Sequence, residues 1–177
     1  MKALTSTVIC LLGLSMAIAG EKGSQPQAPP PPNPAIDMNG YLRVAQEAAK
    51  HRETHRVSEA DFIRMSRQTG TIVLDCRSKA KYDLLHIEGA INLSFPDISV
   101  ESVKRVLPDK DARILIYCNN NFKNNEVAFA SKMPTASLNI STYIALYTYG
   151  YRNVYELAPQ IDPAKSKLTL VASAAAK

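Results

Sequence analysis

Cys118 is the residue of this chain best placed to act as a nucleophile. It ends an apolar stretch, Ile114 to Tyr117, which predicts a buried strand, and a polar run rich in asparagine follows it at 119–125. A helix is predicted to begin at Glu126. Loop N–H groups and a helix N-terminus both stabilise a thiolate. The pattern therefore predicts a reactive thiol, and a buried structural cysteine is the alternative.

A second cysteine follows the preceding predicted strand, within the sequence Asp75-Cys76-Arg77. At the carboxyl end of a strand, Asp75 can accept hydrogen bonds from loop N–H groups, and Arg77 can pair with a carboxylate. We interpret both as supporting residues rather than chemical ones. Cys76 is predicted to pack in the core. Because the two strands are expected to be neighbours, a disulfide or a resolving role with Cys118 is the alternative.

The histidines give little indication of a metal site. His51 and His55 are four residues apart on a predicted helix, which is a spacing that two ligands can use, but nothing else joins them. We interpret them as a solvent-facing polar pair. His86 could titrate as a general base, but a structural role in a turn is the preferred interpretation. No metal and no cofactor are predicted.

The elements that must position these residues alternate between short apolar strands and helices. Such alternation predicts an α/β domain with a mostly parallel central sheet and helices on both faces. In such sheets the site lies beyond the carboxyl ends of the strands, where Asp75, Arg77 and Cys118 are expected. The predicted helices are 36–51, a helix capped by Ser58, 99–106, 126–132 and 137–147, and the predicted strands are 71–74, 114–117 and 153–157.

The ends of the chain differ from this alternating part. Residues 1–20 have the pattern of a cleaved signal peptide, with an apolar run from Val8 that ends in Ala17-Ile18-Ala19. That run is shorter than the ~20 residues a spanning helix needs, so no membrane span is expected in the mature form. A proline-rich linker is predicted at 21–35, the domain at 36–162, and a flexible tail at 163–177. The expected location is periplasmic or secreted.

The formal net charge of +5 is spread over the predicted helices. No run of basic and aromatic residues has the pattern of a nucleic-acid site, so nucleic acid is not expected as a partner. A mild attraction for small anions remains reasonable.

Four segments, in order along the chain, resemble the rhodanese-like domain family between about Val57 and Leu157. Leu74–Arg77 resembles the family's strand ending in Asp-x-Arg, and 86–93 resembles its His-Ile-x-Gly-Ala-Ile-Asn segment. Ile116–Cys118 resembles the strand that delivers the active cysteine, and Gly150–Leu157 resembles the last strand. The resemblance implies a rhodanese-like fold.

The resemblance also implies sulfur transfer through a persulfide on Cys118. A small sulfur-containing anion such as thiosulfate would be the donor, and a thiol or cyanide the acceptor. Where the family often has glycine and arginine, this chain has Asn121 and Lys123; asparagine tolerates a left-handed backbone, and lysine keeps the charge but not the planar fork. The predicted active-site loop consists of Asn119, Asn120, Asn121, Phe122, Lys123 and Asn124.

Three other functions stay open. The altered loop is compatible with a non-catalytic binding module whose protein partner is unknown. Cys76 and Cys118 together would suit a redox or persulfide carrier in the cell envelope. A phosphatase is the least favoured, because its loop needs arginine where this chain has Asn124.

Overall fold

The computed structural model describes residues 31–173. The predicted signal peptide, most of the predicted linker and the last four residues lie outside this range. A compact unit begins at Asp37. Its helices are α1 (Met38–Arg52), α2 (Glu59–Ser66), α3 (Lys79–Leu84), α4 (Val100–Val106) and α5 (Leu138–Thr148). Its strands are β1 (Arg56–Val57), β2 (Thr71–Asp75), β3 (His86–Ile87), β4 (Ile91–Asn92), β5 (Arg113–Tyr117), β6 (Val154–Leu157) and β7 (Leu170–Val171).

The centre of the fold is a five-stranded parallel sheet with the strand order β1-β6-β5-β2-β4. β5 occupies the middle, and β2 pairs with it along its whole length, from Thr71 opposite Arg113 to Asp75 opposite Tyr117. The carboxyl ends of β2 and β5 therefore meet at the same edge of the sheet. This architecture confirms the predicted α/β class.

The two faces of the sheet carry separate hydrophobic cores because alternate residues of a strand point to opposite sides. Ile114 and Ile116 of β5 face a core that α1, α4 and α5 complete. Leu115 and Tyr117 face the other core, which α2 covers with Phe62 and Met65. The predicted helices on both faces are thus confirmed.

Two serines begin helices as their positions predict. The Ser58 hydroxyl accepts a hydrogen bond from the Asp61 N–H at the start of α2, at 3.1 Å. Ser99 caps α4 in the same way, through the N–H of Ser102 at 3.2 Å. These bonds satisfy N–H groups that have no partner within a helix.

The predicted helix at 126–132 is wrong, because this segment is an irregular loop. Its carbonyl groups are bound by side chains instead of by a helical ladder: Arg77 donates to the Ala128 carbonyl at 2.8 Å, and Asn119 donates to the Ala130 carbonyl at 2.6 Å. Pro134 follows after one intervening residue, Met133, and disfavours helical backbone there. Hydrogen bonds from side chains elsewhere in the fold therefore outweigh the helical propensity of the 126–132 segment.

The flexible tail predicted from residue 163 is also wrong where the structure describes it. Leu170 and Val171 pair with β3 in an antiparallel two-stranded sheet, and Leu168 is buried in the core. Strands β1, β3, β4 and β7, of two residues each, and helix α3, of six, were not predicted, because a two-residue strand or a helix of less than two turns carries too little periodicity to detect. Over residues 31–173, no helix is both long and apolar enough to cross a membrane.

Candidate active site

Cys118 lies immediately after β5, and its side chain is fully buried. Three polar groups surround its sulfur. The Ser137 hydroxyl oxygen lies 3.5 Å from Sγ, and the backbone N–H groups of Asn120 and Asn139 lower the pKa of the thiol. Asn120 belongs to the loop that follows the cysteine, and the other two lie at the N-terminus of α5. The thiol therefore lies between a loop and a helix N-terminus. That helix is α5, and not a helix beginning at Glu126 as we expected.

Burial raises the pKa of the Cys118 thiol, and this outweighs the three donors, which lower it. The buried carboxylate of Glu156, on the neighbouring strand β6, raises the pKa further. Because the net shift is upward, the thiol is mostly protonated at neutral pH in this conformation. Each of these groups lowers the pKa of the thiol, as expected, but their combined effect is smaller than the effect of burial.

Asn121 organises the loop with its side chain and not, as predicted, with a left-handed backbone. Its Oδ1 accepts hydrogen bonds from the Cys118 N–H and from Nδ2 of Asn139, both at 2.9 Å. Its Nδ2 donates to the Leu157 carbonyl at 2.6 Å. Within residues 31–173, the non-glycine residue that has a positive φ is Asn124, at 62°. The buried amide of Asn121 thus joins β5, β6 and α5 around the cysteine.

The side chains of Asn119 and Asn120 brace the irregular segment that follows. Asn119 is buried and donates to the Ala130 carbonyl. Asn120 makes two hydrogen bonds to the backbone of Lys132, donating to its carbonyl at 2.8 Å and accepting from its N–H at 3.2 Å. Both asparagines therefore hold the 126–132 segment against the loop that carries the sulfur.

The last three residues of the predicted active-site loop lie away from the thiol. Phe122 is fully buried in the core, with its ring centroid 4.2 Å from that of Phe129. Lys123 and Asn124 line a separate cleft, where Asn124 donates to Asp162 at 3.0 Å. The charge of Lys123, which we expected to replace the family arginine, thus lies on another surface.

Asp75 and Arg77 form a buried ion pair beneath the loop. Nη2 of Arg77 lies 2.5 Å from Oδ2 of Asp75, and both side chains are almost completely buried. The Tyr117 hydroxyl donates to the same carboxylate oxygen at 2.7 Å and accepts from the Ile87 N–H at 3.0 Å. A charge pair without solvent is stable only if its remaining hydrogen-bonding groups are also satisfied.

Arg77 extends this network into the loop. Beside Asp75, it donates to the carbonyls of Ala128 and Leu85, at 2.8 and 2.6 Å, and its guanidinium lies over the Phe129 ring at 4.3 Å. All these contacts are internal. In this arrangement Asp75 and Arg77 link the sheet edge to the 126–132 segment, and neither contacts the sulfur.

Four residues of this site are not among the predicted ones: Ser137, Asn139, Glu156 and Tyr117. Ser137 is the first residue of the helix predicted at 137–147, so its position was a detectable sign of an N-terminus. Tyr117 and Glu156 stand in otherwise apolar strands, where a buried polar group needs a partner. Nothing in the sequence pointed to Asn139.

His51 and His55 are not the solvent-facing pair that we expected. Their rings stack with centroids 3.9 Å apart, and Nδ1 of His51 lies 2.8 Å from the Tyr143 hydroxyl. His51, near the end of α1, packs against Tyr147 of α5, and His55 packs against Tyr155 of β6. His86 holds a turn, with Nδ1 2.8 Å from the Tyr82 carbonyl oxygen. Within 31–173, no cluster of three or more His, Cys, Asp or Glu side chains is arranged to hold a metal.

A cavity of about 370 Å³ adjoins the cysteine loop. Asn119 and Leu138, the neighbours of Cys118 and Ser137 in the chain, form part of its wall, and three cationic residues, Arg77, Lys81 and Lys132, line it as well. A small anion entering here would meet positive charge close to the loop.

Comparison with known proteins identifies the family. The rhodanese-like domain family matches residues 58–158, which is more than half of the chain. The chain belongs to the rhodanese-like domain family. The match begins at the cap of α2 and ends just after β6, so it contains the sheet from β2 to β6 and the Cys118 loop. No functionally curated protein matches the sequence.

Solved structures similar to this rhodanese-like protein include three that share 26% identity or less. A rhodanese with anions from E. coli shares 21% identity, covers 58% of this chain and 98% of its own, and has a TM-score of 0.39. A protein from Bacillus halodurans shares 26%, covers 64% and 75%, and has a TM-score of 0.43. A thiosulfate sulfurtransferase from Pseudomonas aeruginosa shares 19%, covers 70% of this chain and 21% of its own, and has a TM-score of 0.45.

Proposed function

We propose that the protein is a sulfurtransferase that carries a sulfane sulfur as a persulfide on Cys118. The observation that supports this most is the Ser137 hydroxyl 3.5 Å from the sulfur, together with two backbone N–H groups that favour the anion by lowering the pKa of the thiol. Hydrogen-bond donors that meet at one point stabilise negative charge, and a persulfide is an anion at neutral pH. A cysteine with only a packing role would not need them.

The reaction consists of two displacements. The Cys118 thiolate attacks the outer sulfur of thiosulfate, a new S–S bond forms, and the S–S bond of the donor breaks, so that sulfite leaves with the electron pair. An acceptor thiolate or cyanide then attacks the outer sulfur of the persulfide and releases the Cys118 thiolate. Splitting the transfer through an enzyme-bound intermediate is the advantage of covalent catalysis.

The donor anion enters, in this proposal, through the cavity beside the loop. Lys81 and Lys132 line that cavity, whereas Lys123 lines a different cleft. Lysine attracts an anion as a point charge and lacks the planar fork that grips two oxygens at once. Arg77 also lines the cavity, but its guanidinium is engaged by Asp75 and by backbone carbonyls. The partners are accordingly a small sulfur-containing anion and a thiol acceptor, with weaker selection for sulfonate geometry than a free arginine gives.

A non-catalytic rhodanese-like binding module is the second candidate. The observation that favours it is the closed state of the thiol, since the Cys118 side chain has no exposed surface and its pKa is raised. A nucleophile in this state reacts only when the loop opens and the proton leaves. If this candidate is correct, Cys118 reacts with no donor and more slowly than a free thiol.

Sulfite release distinguishes the two candidates. The purified full chain is mixed with excess thiosulfate, and sulfite is measured over time, first without an acceptor and then with cyanide. The sulfurtransferase releases one sulfite per protein in the first phase and forms thiocyanate continuously when cyanide is present. Cys118→Ser abolishes both signals, and Cys76→Ser, the matched control, keeps the first phase. No sulfite from the wild type contradicts the proposal.

We also propose that the protein acts in the periplasm or outside the cell, on the signal-peptide pattern of residues 1–20. N-terminal sequencing of the protein recovered from an exporting host tests this. A first residue close to Gly20 or Glu21 supports it, and an intact Met1 in the cytoplasmic fraction contradicts it.

A further inference from the structure

Cys76 and Cys118 are neighbours across two adjacent parallel strands. β2 and β5 are in register up to Asp75 opposite Tyr117, and each cysteine directly follows the last residue of its strand. The Cys76 N–H donates to the Tyr117 carbonyl at 3.4 Å, so the two backbones are still joined at this point. Adjacent strands lie about 4.8 Å apart. That spacing falls within the Cα separation of about 4.4–6.8 Å that a disulfide needs.

The two thiols also share a face of the sheet. Cys76 packs with Leu74, Ile114 and Ile116 in the core beneath α5. Cys118 follows Ile116 by two residues, in extended backbone with φ −148°, and therefore projects to the same side. Both cysteines are fully buried and neither forms a disulfide. Strand spacing and side-chain direction thus both favour contact between the two sulfurs.

The Cys76 thiol is buried and cannot be reached from solvent, so Cys118 is the reactant nearest to it. The Cys76 side chain has no exposed surface, and its Sγ makes a weak hydrogen bond to the Leu74 carbonyl, at 3.9 Å. Burial raises the pKa of this thiol well above its ordinary value. A free small molecule therefore has no access to Cys76. A sulfur held on Cys118 is already in place beside it.

We propose that Cys76 resolves the Cys118 persulfide internally and releases its outer sulfur as hydrosulfide. Cys76 Sγ attacks Cys118 Sγ, an S–S bond forms between the two cysteines, and the bond from Cys118 Sγ to the outer sulfur breaks. The proton of the Cys76 thiol leaves with the expelled sulfur. The sulfane sulfur is reduced to sulfide, and the two cysteines are oxidised to a disulfide. This inference rests on the proposed function for its sulfur source.

The step gives the protein a second activity, the reduction of sulfane sulfur without an added thiol. It is limited to one turnover until an external dithiol reduces the disulfide, which returns both thiols and leaves the dithiol as its own disulfide. An acceptor that takes the persulfide sulfur first avoids the step. Whether the persulfide sulfur is transferred to an acceptor or released as sulfide thus depends on Cys76.

The experiment follows the fate of the sulfur in the full chain carrying Cys10→Ser, so that Cys76 and Cys118 are the only thiols. Protein is treated with thiosulfate without any added thiol, and sulfide release, intact mass and disulfide-linked peptides are measured. We expect about one sulfide per protein and a Cys76–Cys118 linkage. With Cys76→Ser or Cys76→Ala added, we expect sulfite release to persist, one sulfur atom to remain on Cys118, and sulfide to fall at least about tenfold.

Two results overturn the inference: a wild-type persulfide as long-lived as that of Cys76→Ser, or sulfide release that does not change in either variant. Circular dichroism and thermal unfolding show that the variants are folded. A second arm uses diamide, which oxidises paired thiols without a sulfur donor. If no protein releases sulfite, the proposed function fails, and the diamide arm still decides whether the cysteines pair. One internal disulfide supports the pairing, and two unmodified thiols contradict it.

Discussion

The side-chain amide of Asn139, in the first turn of α5, donates to Oδ1 of Asn121, in the loop after β5, at 2.9 Å. Both residues are buried, and both act on Cys118, since Asn121 also binds the Cys118 N–H and the backbone N–H of Asn139 lowers the pKa of the thiol. The pair fixes the distance between the loop and the helix that together surround Cys118. The geometry of the thiol therefore depends on a contact between two elements that are separate in sequence.

Replacing Asn121 should destabilise the fold and disturb the site together. Asn121→Ala removes four hydrogen bonds and leaves the Cys118 N–H and the Leu157 carbonyl without those partners. We expect the free energy of unfolding to fall by about 2–4 kcal/mol, since a buried unpaired polar group costs about 1–3 kcal/mol. Urea unfolding measures this. Asn120→Ala, which breaks more exposed bonds, is the control and should cost clearly less; equal losses would contradict the assigned role.

Ser137 should control the ionisation of Cys118. Burial raises the thiol pKa and the Ser137 hydroxyl lowers it, so the thiolate fraction at pH 7 is small and grows as the pH rises past the ordinary value of 9.0. Ser137→Ala removes a donor to the anion, and the pKa should rise further. The rate of iodoacetamide alkylation against pH should shift to higher pH. Ser141→Ala, one turn along α5, should leave the profile unchanged, and a shift in both variants would count against this assignment.

The ion pair between Arg52 of α1 and Glu156 of β6 should act on Cys118 from outside the loop. Nη2 of Arg52 lies 2.7 Å from Oε1 of Glu156, and that buried carboxylate raises the pKa of the thiol. Arg52→Gln leaves the carboxylate without its cation. Alkylation of Cys118 at a fixed pH should then slow, and stability should fall by about 1–3 kcal/mol, the cost of a buried polar group left without its partner.

The double variant Arg52→Gln with Glu156→Gln provides the matched control. Because it removes both charges, the alkylation rate should recover to at least the wild-type value, since the carboxylate that opposes the thiolate is gone. Slowing that persists in the double variant would mean that α1 acts through packing instead of charge.

Tyr117 should contribute to stability through its hydroxyl. Tyr117→Phe leaves the Ile87 N–H without its acceptor and takes one donor from the buried Asp75 carboxylate. We expect a loss of about 1–3 kcal/mol in urea unfolding with no change in secondary structure by circular dichroism. Tyr155→Phe, at a half-buried tyrosine outside this network, should have a smaller effect. A comparable loss in the two variants would contradict the importance of the network.

The longer elements were predictable because they carry periodicity. The apolar run at 114–117, the Ser58 cap and the helix that begins after Ser137 all fold as their patterns indicate. The 126–132 segment was not predictable, because its backbone is held by donors from Arg77, Asn119 and Asn120, which lie elsewhere in the chain. Only the tertiary arrangement brings those groups to it.

In the site, too, some features could be predicted from the sequence and others could not. Cys118 was predictable because it ends a strand in a recognisable position. Its ionisation was not, because the sign depends on how much burial opposes the donors, and burial comes from α5 packing over the loop. Lys123 was misjudged for a related reason: its charge was clear from the sequence, but the backbone bond from its N–H to the Ile161 carbonyl places it at another surface.

The pairing of β7 with β3 bears on how the protein can be divided. The family match ends at residue 158, but Leu168 is buried in the main core, and the N–H of Glu88 donates to the Thr169 carbonyl at 2.9 Å. At the other end, Ala48 of α1 is fully buried although it precedes the match. The autonomous folding unit is therefore larger than the homologous segment. A fragment cut at the family boundaries would expose core side chains from both cores and leave an unpaired strand edge, which are the conditions for aggregation.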